Sequence, residues 1–502
     1  MMATASKKMS DWQHQSKTMS FPQHLFIDGR FVQAKSGKTF PAINPATGQT
    51  ITQISEGDQE DIDLAVKAAK RAFEKGVWVK MAIAERKKIM LRWADLMEKN
   101  FDELALLETL DVGKPIRDSI SVDIPLAINC IRWYAETIDK LFDEVAPTGL
   151  DSIVMVRREP LGVIGAVLPW NFPLLMAAWK MGPILAAGNS LVIKPAEQSC
   201  LSTLRAAELA AEAGMPAGVL NVVPGYGETA GQALGKHGEV DCLAFTGSTE
   251  VGKYFLKYAG ESNMKRVSLE CGGKSPNIIM ADAPDLDAAA KAAAWGIFYN
   301  QGEACSAGSR LLVEASIKDK FLAKVADVSK KMKVGDPLDP LTDIGALIDQ
   351  KQMARVLGYI DSGKKEGATL ICGGKRVAES SGGYFVGPTI FDHVQPRMKI
   401  AQEEIFGPVL SVITFRDQEE AIKIANDTIY GLAAAIWTKD ITKAFRTAQA
   451  LKAGVIWVNS YDDGHMSMPF GGFKQSGFGR DKSLHALDKY TDWKSVWINL
   501  KN

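Results

Sequence analysis

The chain has 502 residues, a hydrophobic content of 46%, and equal numbers (59 each) of basic and acidic side chains. The length predicts two or three domains, and the balanced charge gives no net field that would favour nucleic acid or an acidic membrane as a partner. The longest apolar runs, such as GVIGAVLPW, are too short to span a bilayer. We therefore expect a soluble globular protein.

The cysteines and histidines indicate a compartment and speak against a metal site. The six cysteines form no CxxC pair, which is typical of free thiols in a reducing compartment such as the cytoplasm. The six histidines form neither HxxxH nor HExxH, so no bound metal is expected.

The N-terminal part divides into a leader and a mainly helical region. Residues 1–20 contain no arginine and no apolar core like that of a secretory signal, so we expect a flexible leader. After a short extended start, Asp58 is predicted to cap a helix whose apolar residues recur at helical spacing. Further helices are predicted over 84–100 and 101–110.

From residue 162, short apolar runs alternate with Ala-rich helical stretches. The predicted strands are GVIGAVL, SLVIK, LNVVP, CLAFT and RVSLE, and strands this apolar with helices between them indicate a parallel sheet covered on both faces. A second α/β region is predicted from Pro276 to about residue 474, with strands SRLLVEA, GPTIF, VLSVITF and GVIWVN. Ligands of such sheets bind at the carboxyl ends of the strands.

Two segments outside these regions have an alternating pattern. FDEVAPTGLDSIVMVRREPLG, residues 142–162, is predicted to form a hairpin. KYTDWKSVWINL, residues 489–500, is predicted to form an edge strand.

Three strand ends carry features of a nucleotide site. VPGYGETAG places Gly227 in a GxGxxxG pattern one residue off the Rossmann fingerprint, so a simple tight turn explains it equally well. FTGSTEVG places Gly247 and Ser248 where a helix begins, a position that favours an anion, although a helix cap alone is the alternative. Glu197 in KPAE can accept ribose hydroxyls and repel a 2′-phosphate, which favours NAD over NADP, but Lys194 weakens that preference.

Three further residues suggest covalent chemistry. Cys305 lies among small and polar residues in NQGEACSAGSR, as expected of a presented nucleophile, and a histidine-assisted hydrolase stays open. Glu270 ends the strand RVSLE before two glycines and suits a general base, with an ion pair to Lys274 as the alternative. Asn171 lies between the two prolines of PWNFP and can stabilise an oxyanion or merely complete a turn.

The order of these motifs resembles that of one family. PWNFP, KPAE, FTGSTEVG, LECGGKSPN, NQGEACSAGSR, EEIFGPV and PFGGFKQSG, over almost the whole chain, are similar to those of the aldehyde dehydrogenase superfamily. The resemblance implies an α/β fold with two Rossmann-like parallel-sheet domains and a small oligomerisation β-sheet. It implies an NAD-binding domain (21–140 and 162–273), a catalytic domain (274–474) and oligomerisation segments (141–161 and 487–502), assembled as a homodimer or homotetramer.

The resemblance also implies roles for individual residues. Cys305 would be the nucleophile, Glu270 the base, and Asn171 with the backbone amide of Cys305 the oxyanion hole. The residues expected to contact NAD are Trp170, Lys194, Glu197, Gly227, Gly247, Ser248, Glu404 and Phe406. The family often has glutamate at the position of Asp481, so a proton-relay role for Asp481 stays open.

The implied reaction is NAD-dependent oxidation of an aldehyde through a cysteine thiohemiacetal and a thioester, with NADP as a second usable cofactor. DIPLAINCIRWYAETIDK and NSYDDGHMSMPFGGFKQSGFGRDKSLHAL resemble bacterial enzymes of putrescine and arginine breakdown that act on γ-glutamyl-γ-aminobutyraldehyde and guanidinobutyraldehyde. Aromatic and acidic side chains suit a cationic tail, and the candidates for substrate contact are Asp123, Trp133, Trp179, Tyr461, Asp462 and Asp463.

Several alternatives to this reading remain. The DDG sequence at 462–464 is also typical of a solvated turn. Within the family, the alternatives are a broad-specificity aliphatic or betaine-type aldehyde dehydrogenase and a CoA-acylating enzyme. Outside it, they are a cysteine hydrolase and a noncatalytic binding relative.

Overall fold

A sheet of eight strands forms the first of two large α/β units in the computed structural model, which describes residues 7–501. Five parallel strands make up its middle, and shorter antiparallel strands close both edges. The parallel strands are buried at almost every position, which explains their nearly unbroken apolar sequences. In spatial order the strands are Gly477–Phe478, Arg266–Glu270, Cys242–Thr246, Val163–Val167, Ser190–Lys194, Leu220–Val222, Leu25–Ile27 and Arg30–Val32.

The second unit is built on a seven-stranded sheet that is parallel except at one edge. Its helices and strands pack into two apolar clusters, one on each face of the sheet. In spatial order its strands are Thr369–Cys372, Thr389–Asp392, Val409–Phe415, Arg310–Glu314, Pro276–Ile279, Ala433–Trp437 and Val455–Val458.

A third, antiparallel sheet differs in sequence pattern from both large units. Its three strands are Thr491–Asn499, Ser152–Pro160 and Glu144–Ala146. Its two long strands pair over nine residues, from Thr491 opposite Pro160 to Asn499 opposite Ser152. The hairpin and the edge strand expected from the alternating patterns are therefore partners in one sheet. A separate hairpin is formed by Thr39–Asn44 and Gln49–Ser55.

Helices cover both large sheets. Asp58 caps its helix as expected, accepting a hydrogen bond from the backbone amide of Glu60. The α-helices of eight or more residues are Met9–Thr18, Gln59–Lys75, Ile83–Lys99, Phe101–Val112, Ile124–Thr137, Pro173–Ala186, Leu201–Glu212, Thr249–Glu261, Leu286–Phe298, Lys318–Lys331, Gln350–Lys365, Gln418–Asn426 and Ile441–Ala450. In the described part of the chain, no helix combines the length and apolar character needed to cross a membrane.

The N-terminal leader differs from the expectation. Residues 1–6 lie outside the described residues, as does Asn502 at the other end, but Met9–Thr18 is a helix and not a flexible segment. Trp12 is fully buried against the main apolar cluster of the first unit, and Lys7 pairs with Asp102 at 2.5 Å. Burial of this one aromatic side chain stabilises a helix that the mostly polar sequence of the segment does not predict.

Candidate active site

A cleft with a volume of about 890 Å³ opens at the carboxyl ends of the first sheet's strands, where the second unit faces them. Side chains from both units line it, together with the loop that carries Cys305. The cleft brings together many residues that are far apart in sequence. Of the predicted site residues, its walls include Cys305, Glu270, Asn171, Trp170, Gly247, Ser248, Glu404, Phe406, Trp179, Asp462 and Asp463.

Cys305 follows a tight turn at the end of the helix Leu286–Phe298. Asn300 and Gln301 have positive φ angles of 48° and 57°, a strained conformation that redirects the chain towards the cleft. The thiol is half-buried, and this burial raises its pKa; the carboxylates of Glu404, Asp462 and Glu270 raise it further. The resting thiol therefore keeps its proton at neutral pH.

Asn171 is held rigidly beside this loop. Its Nδ2 donates to the carbonyl oxygen of Glu303 at 2.8 Å, and the Nδ2 of Asn300 donates to the Asn171 carbonyl at 3.2 Å. One of the two amide hydrogens of Asn171 is used in this way, so the other can point into the cleft. The backbone amide of Cys305 likewise makes no backbone hydrogen bond within residues 7–501.

Glu270 ends its strand with a carboxylate that has no hydrogen-bond partner on either oxygen. Burial raises its pKa well above the usual range, and the nearby Asp481 raises it further, while Lys180 and Lys489 oppose the shift. The alternative of an ion pair between Glu270 and Lys274 is not formed, because the Lys274 ammonium is also buried without a partner. An unpaired buried carboxyl of this kind is a strong proton acceptor once it is ionised.

Beside Glu270 lies a buried cluster of Lys180, Asp481 and Lys489. Each oxygen of the Asp481 carboxylate pairs with one of the two lysines. Burial alone would raise the pKa of Asp481, but the two ammonium groups lower it below its usual value. Lys180 is therefore neither a solvated surface lysine nor part of the open cleft wall. The contribution of Lys489 was missed in the sequence because nothing around it marks a site.

The cleft wall opposite is formed by EEIFGPV. The Oε1 of Glu404 accepts a hydrogen bond from the Gly273 amide at 3.0 Å, and burial raises the Glu404 pKa to about 7. A Cβ at Gly272 would lie 2.0 Å from the Glu404 carboxylate, so a larger residue there would displace this side chain from its present position. The Phe406 ring meets Trp170 edge to face at 5.1 Å. Gln352, which the sequence analysis missed, donates to the Phe406 carbonyl at 2.6 Å and fixes this wall.

At the first sheet, Ser248 caps the helix Thr249–Glu261 by accepting from the Val251 amide at 3.3 Å. Three predicted cofactor residues lie beyond the walls of the cleft. Lys194 pairs with Glu197 at 2.8 Å, and Gly227 faces open space where a short π-helical turn, Gly227–Gly231, begins.

Three predicted substrate residues lie outside the cleft walls. Asp123 is fully buried, and its carboxylate forms an ion pair with Lys114 at 2.5 Å in the protein interior. Trp133 packs against the main apolar cluster. The Tyr461 hydroxyl donates to the Ser306 carbonyl at 2.7 Å, so this ring supports the nucleophile loop from behind. None of the three is therefore part of the cleft wall in this structure.

The remaining substrate candidates are at the cleft mouth. Trp179 packs against Phe470 with ring centroids 5.2 Å apart, and Asp462 accepts from the Ser306 hydroxyl at 3.1 Å. Lys482, also missed in the sequence, lines the cleft with them; its place next to Asp481 in GRDKS was the available signal. Among residues 7–501, no cluster of three or more potential metal ligands is present.

Two parallel sheets surround one cleft that holds a thiol, an unpaired carboxyl and an amide, and this combination defines a cysteine-dependent oxidoreductase fold. Residues 31–496 match the sequence model of the aldehyde dehydrogenase family. The chain belongs to that family. The family, fold class and enzyme class expected from the sequence are thereby confirmed.

Individual relatives extend the comparison. The chain is 52% identical to the NADP/NAD-dependent aldehyde dehydrogenase PuuC of Escherichia coli K12 over 490 residues, 98% of each chain. Among solved structures, an indole-3-acetaldehyde dehydrogenase in complex with NAD+ is 57% identical (TM-score 0.98; 99% of this chain and 100% of that one). The γ-glutamyl-γ-aminobutyraldehyde dehydrogenase of Burkholderia cenocepacia is 54% identical (TM-score 0.97; the same coverage). The NAD+ in the first of these structures confirms the cofactor expected of this family.

Proposed function

We propose that this protein oxidises an aldehyde to a carboxylic acid through a covalent bond to Cys305, with NAD+ as its preferred cofactor. The observation that carries the proposal is the meeting of Cys305, Glu270 and Asn171 in one cleft. Each supplies a function that the other two lack: a nucleophile, a base and an oxyanion donor.

The residues on the other side of the cleft fit a dinucleotide. The start of the helix Thr249–Glu261, with Ser248 as its cap, favours a pyrophosphate. The Glu404 carboxylate, held by the Gly273 amide, suits ribose hydroxyls. When bound, NAD+ supplies the acceptor for the hydride that leaves the substrate carbon.

The pair of Lys194 and Glu197 bears on the choice of cofactor. Glu197 suits the adenosine ribose hydroxyls and repels a 2′-phosphate. Its ion pair with Lys194 partly neutralises that repulsion. We therefore expect NAD+ to be preferred and NADP+ to be used more slowly.

The first chemical step forms a carbon–sulfur bond. Glu270 takes the thiol proton, directly or through a water, and the Sγ of Cys305 attacks the aldehyde carbon. The carbonyl oxygen becomes an oxyanion, which the free amide hydrogen of Asn171 and the backbone amide of Cys305 stabilise. The hydrogen bonds that hold Asn171 support this role, because they reduce the reorganisation that the step requires.

The last step breaks that bond again. Once the substrate carbon has been oxidised to a thioester on Cys305 and Glu270 has released the thiol's proton to solvent, Glu270 takes a proton from water, whose oxygen attacks the thioester carbon. The carbon–sulfur bond breaks, the acid leaves, and Cys305 regains a proton. The raised pKa of Glu270 makes it a stronger base for water than an ordinary glutamate.

For the substrate, we propose a butyraldehyde with an ω-amino, γ-glutamylamino or ω-guanidino tail, as arises in putrescine or arginine breakdown. The support is the cleft mouth, where Trp179, Trp457 and Phe470 stand near Asp462 and Asp463. Aromatic faces and carboxylates both attract cationic groups. The name of the solved Burkholderia relative agrees with this class of substrate.

The test is NADH formation with aminobutyraldehyde, guanidinobutyraldehyde, γ-glutamylaminobutyraldehyde and hexanal. We expect kcat/KM to be about tenfold higher for at least one charged-tail aldehyde than for hexanal, roughly the effect of one favourable charge contact. We expect C305A to lose about a thousandfold or more of the rate. An equal kcat/KM for hexanal would indicate a broad-specificity aliphatic enzyme. A requirement for CoA would indicate an acylating enzyme. Ester cleavage without any NADH formation would indicate a hydrolase.

A further inference from the structure

The mouth of the cleft carries charges of both signs. Asp462 and Asp463, on the loop that follows the strand Val455–Val458, line it together with Lys482. A purely cationic tail would be attracted by the first two residues and repelled by the third. The arrangement is therefore not the one expected for a site that recognises a cation alone.

Lys482 is enclosed but unpaired. Its residue is only 8% exposed, and its ammonium lies 5.6 Å from the centre of the Trp179 ring. Its Nζ also approaches the acidic loop, because a Cβ on Gly464 would lie 3.2 Å from it. Within residues 7–501 this ammonium makes no hydrogen bond and no ion pair. Burial lowers its pKa, so the charged form is disfavoured when no partner is present. An anion arriving in the cleft would supply the missing partner.

The backbone around Lys482 is held in an uncommon conformation. Lys482 and Ser483 have positive φ angles of 61° and 52°. The Ser483 amide donates to the Met466 carbonyl at 2.7 Å, and the buried hydroxyl of Tyr134 donates to the Ser483 carbonyl at 3.0 Å. These bonds fix a costly backbone geometry that directs Lys482 into the cleft, an arrangement that is common at ligand-binding positions.

The opposite charge is placed at a suitable position. The Oδ1 of Asp462 is bonded to the Ser306 hydroxyl, next to the nucleophile, whereas the Asp463 carboxylate is exposed at the mouth and makes no hydrogen bond among the described side chains. Asp463 and Lys482 thus offer an anion and a cation that are both free to bind. Together they match a group that carries an ammonium and a carboxylate on the same carbon.

Resting on the function proposed above, we propose that Lys482 binds a carboxylate at the far end of the substrate and, with Asp463, selects aldehydes that end in a zwitterionic α-amino acid group. Of the three tails considered, only the γ-glutamylamino tail has this group. Simple amino and guanidino tails carry the same charge as Lys482, which repels them, and they are therefore poorer substrates. Lys482 is a specificity-determining residue in this assignment and takes no part in the chemical steps.

Four butyraldehydes that differ only in tail charge test the assignment. Their 4-position carries a γ-glutamylamino (zwitterion), glutarylamino (anion), 4-aminobutyrylamino (cation) or butyrylamino (neutral) group. We expect wild-type kcat/KM for the zwitterion to exceed that for the neutral form about tenfold or more. In K482Q, the ratio of glutarylamino to butyrylamino kcat/KM should fall about tenfold, while the ratio of 4-aminobutyrylamino to butyrylamino stays or rises.

Further variants separate charge recognition from general damage. K482R should restore the glutarylamino ratio, and D463N should lower the 4-aminobutyrylamino ratio while raising the glutarylamino one. K291Q, at an exposed lysine on the helix Leu286–Phe298, should leave every ratio unchanged. Ratios cancel a loss that is common to all four substrates, so a folding defect cannot mimic the result.

Two outcomes would overturn the assignment: a glutarylamino ratio that is the same in wild type and K482Q, or equal losses for all four aldehydes. Either result leaves NADH formation by wild type intact as evidence for aldehyde oxidation. Conversely, if wild type oxidises hexanal faster than every amino and acylamino aldehyde, the proposed substrate class fails. The glutarylamino-to-butyrylamino ratio would still report on Lys482 independently.

Discussion

Two glutamates in the cleft differ in their immediate neighbours and hence in their chemistry. Glu270 is buried and has no hydrogen-bond donor on its carboxylate, so its ionised form is destabilised and takes up protons readily. Glu404 accepts one bond from the Gly273 amide, and its pKa rises only to about 7. The less stabilised carboxylate suits proton transfer, and the partly stabilised one suits a lasting hydrogen bond to a ligand.

The Glu404 pKa leads to a prediction about stability. Because its folded-state pKa of about 7 is above the ordinary 4.5, ionisation opposes folding, and this cost develops as pH rises from about 4.5 to 7. E404Q removes the cost, so we expect the ligand-free variant to exceed wild type in free energy of unfolding by about 2 kcal/mol at pH 8, after allowance for partial solvent screening. Urea unfolding at pH 8 and pH 5.5 measures it. E419Q, at an exposed position, is the control, and a pH-independent offset would contradict the explanation.

Asn171 gives a kinetic prediction. Removing one preorganised oxyanion donor costs about a hundredfold to a thousandfold in rate, so we expect N171A to lower kcat by this amount with little change in the KM for NAD+. Steady-state kinetics measure both values, and thermal unfolding checks that the variant is folded. A kcat within about threefold of wild type, well below the usual loss, would mean that the backbone amide of Cys305 acts alone.

At the scale of elements, the strand that ends in Glu270 depends on a distant part of the chain. Gly477 and Phe478 pair with Glu270 and Leu269 as an antiparallel edge of the first sheet. The Cys271 amide donates a hydrogen bond to the Ser476 carbonyl, so the chain is hydrogen-bonded on both sides of the base. This short edge fixes the base relative to the loop that carries Asp481 and Lys482.

The N-terminal helix gives a prediction at the same scale. Trp12 is the one fully buried side chain of Met9–Thr18, and truncating a buried tryptophan costs about 3–5 kcal/mol. We expect W12A to lower the free energy of unfolding by roughly 3 kcal/mol and H14A, at an exposed position of the same helix, to leave it nearly unchanged. Thermal and urea unfolding compare the two. A loss in W12A no larger than that in H14A would contradict the anchoring role of Trp12.

The elements could be predicted where burial fixed the sequence pattern. The strands SLVIK, CLAFT, RVSLE and VLSVITF have the bounds expected, because most of their positions are buried and apolar residues form the centre of each pattern. The helix Met9–Thr18 could not be predicted, because only Trp12 of its residues is fully buried and most of its other positions are polar. Gly477–Phe478 is too short to have a pattern at all.

The site follows the same principle. Residues set in unusual local sequences, such as Cys305, Glu270 and Asn171, could be singled out as candidates, and the structure brings them to one cleft. Asp123 looked equally suitable as a substrate contact, but its charge is satisfied by Lys114 in the interior. Whether a charged side chain has a partner depends on contacts between distant segments, and sequence spacing carries no information about them.

At the scale of the whole molecule, the third sheet leaves apolar side chains in solvent. Trp497 is 68% exposed and Val145 72% exposed, and the strand Thr491–Asn499 has one unpaired edge. Exposed apolar groups beside an open strand edge are typical of an interface. They support the expectation that copies of this chain associate through this sheet.

Light scattering tests that expectation. We expect wild type to have the mass of a dimer or tetramer and the double variant W497E/V145E to shift towards the monomer, because two buried carboxylates would disfavour the interface. F445E, at a residue 62% exposed on the helix Ile441–Ala450, is the matched control and should leave the mass unchanged. A monomeric wild type, or an unchanged mass in the double variant, would contradict the assignment.

The carboxylates around Cys305 also influence how the protein withstands oxidants. Peroxides attack thiolates far faster than thiols. Burial raises the pKa of Cys305, and Glu404, Asp462 and Glu270 raise it further, so between turnovers the nucleophile is mainly in the unreactive thiol form. Burial and the nearby carboxylates thus protect a thiol that lines an open cleft, and the proton that has to be removed before catalysis preserves the thiol between turnovers.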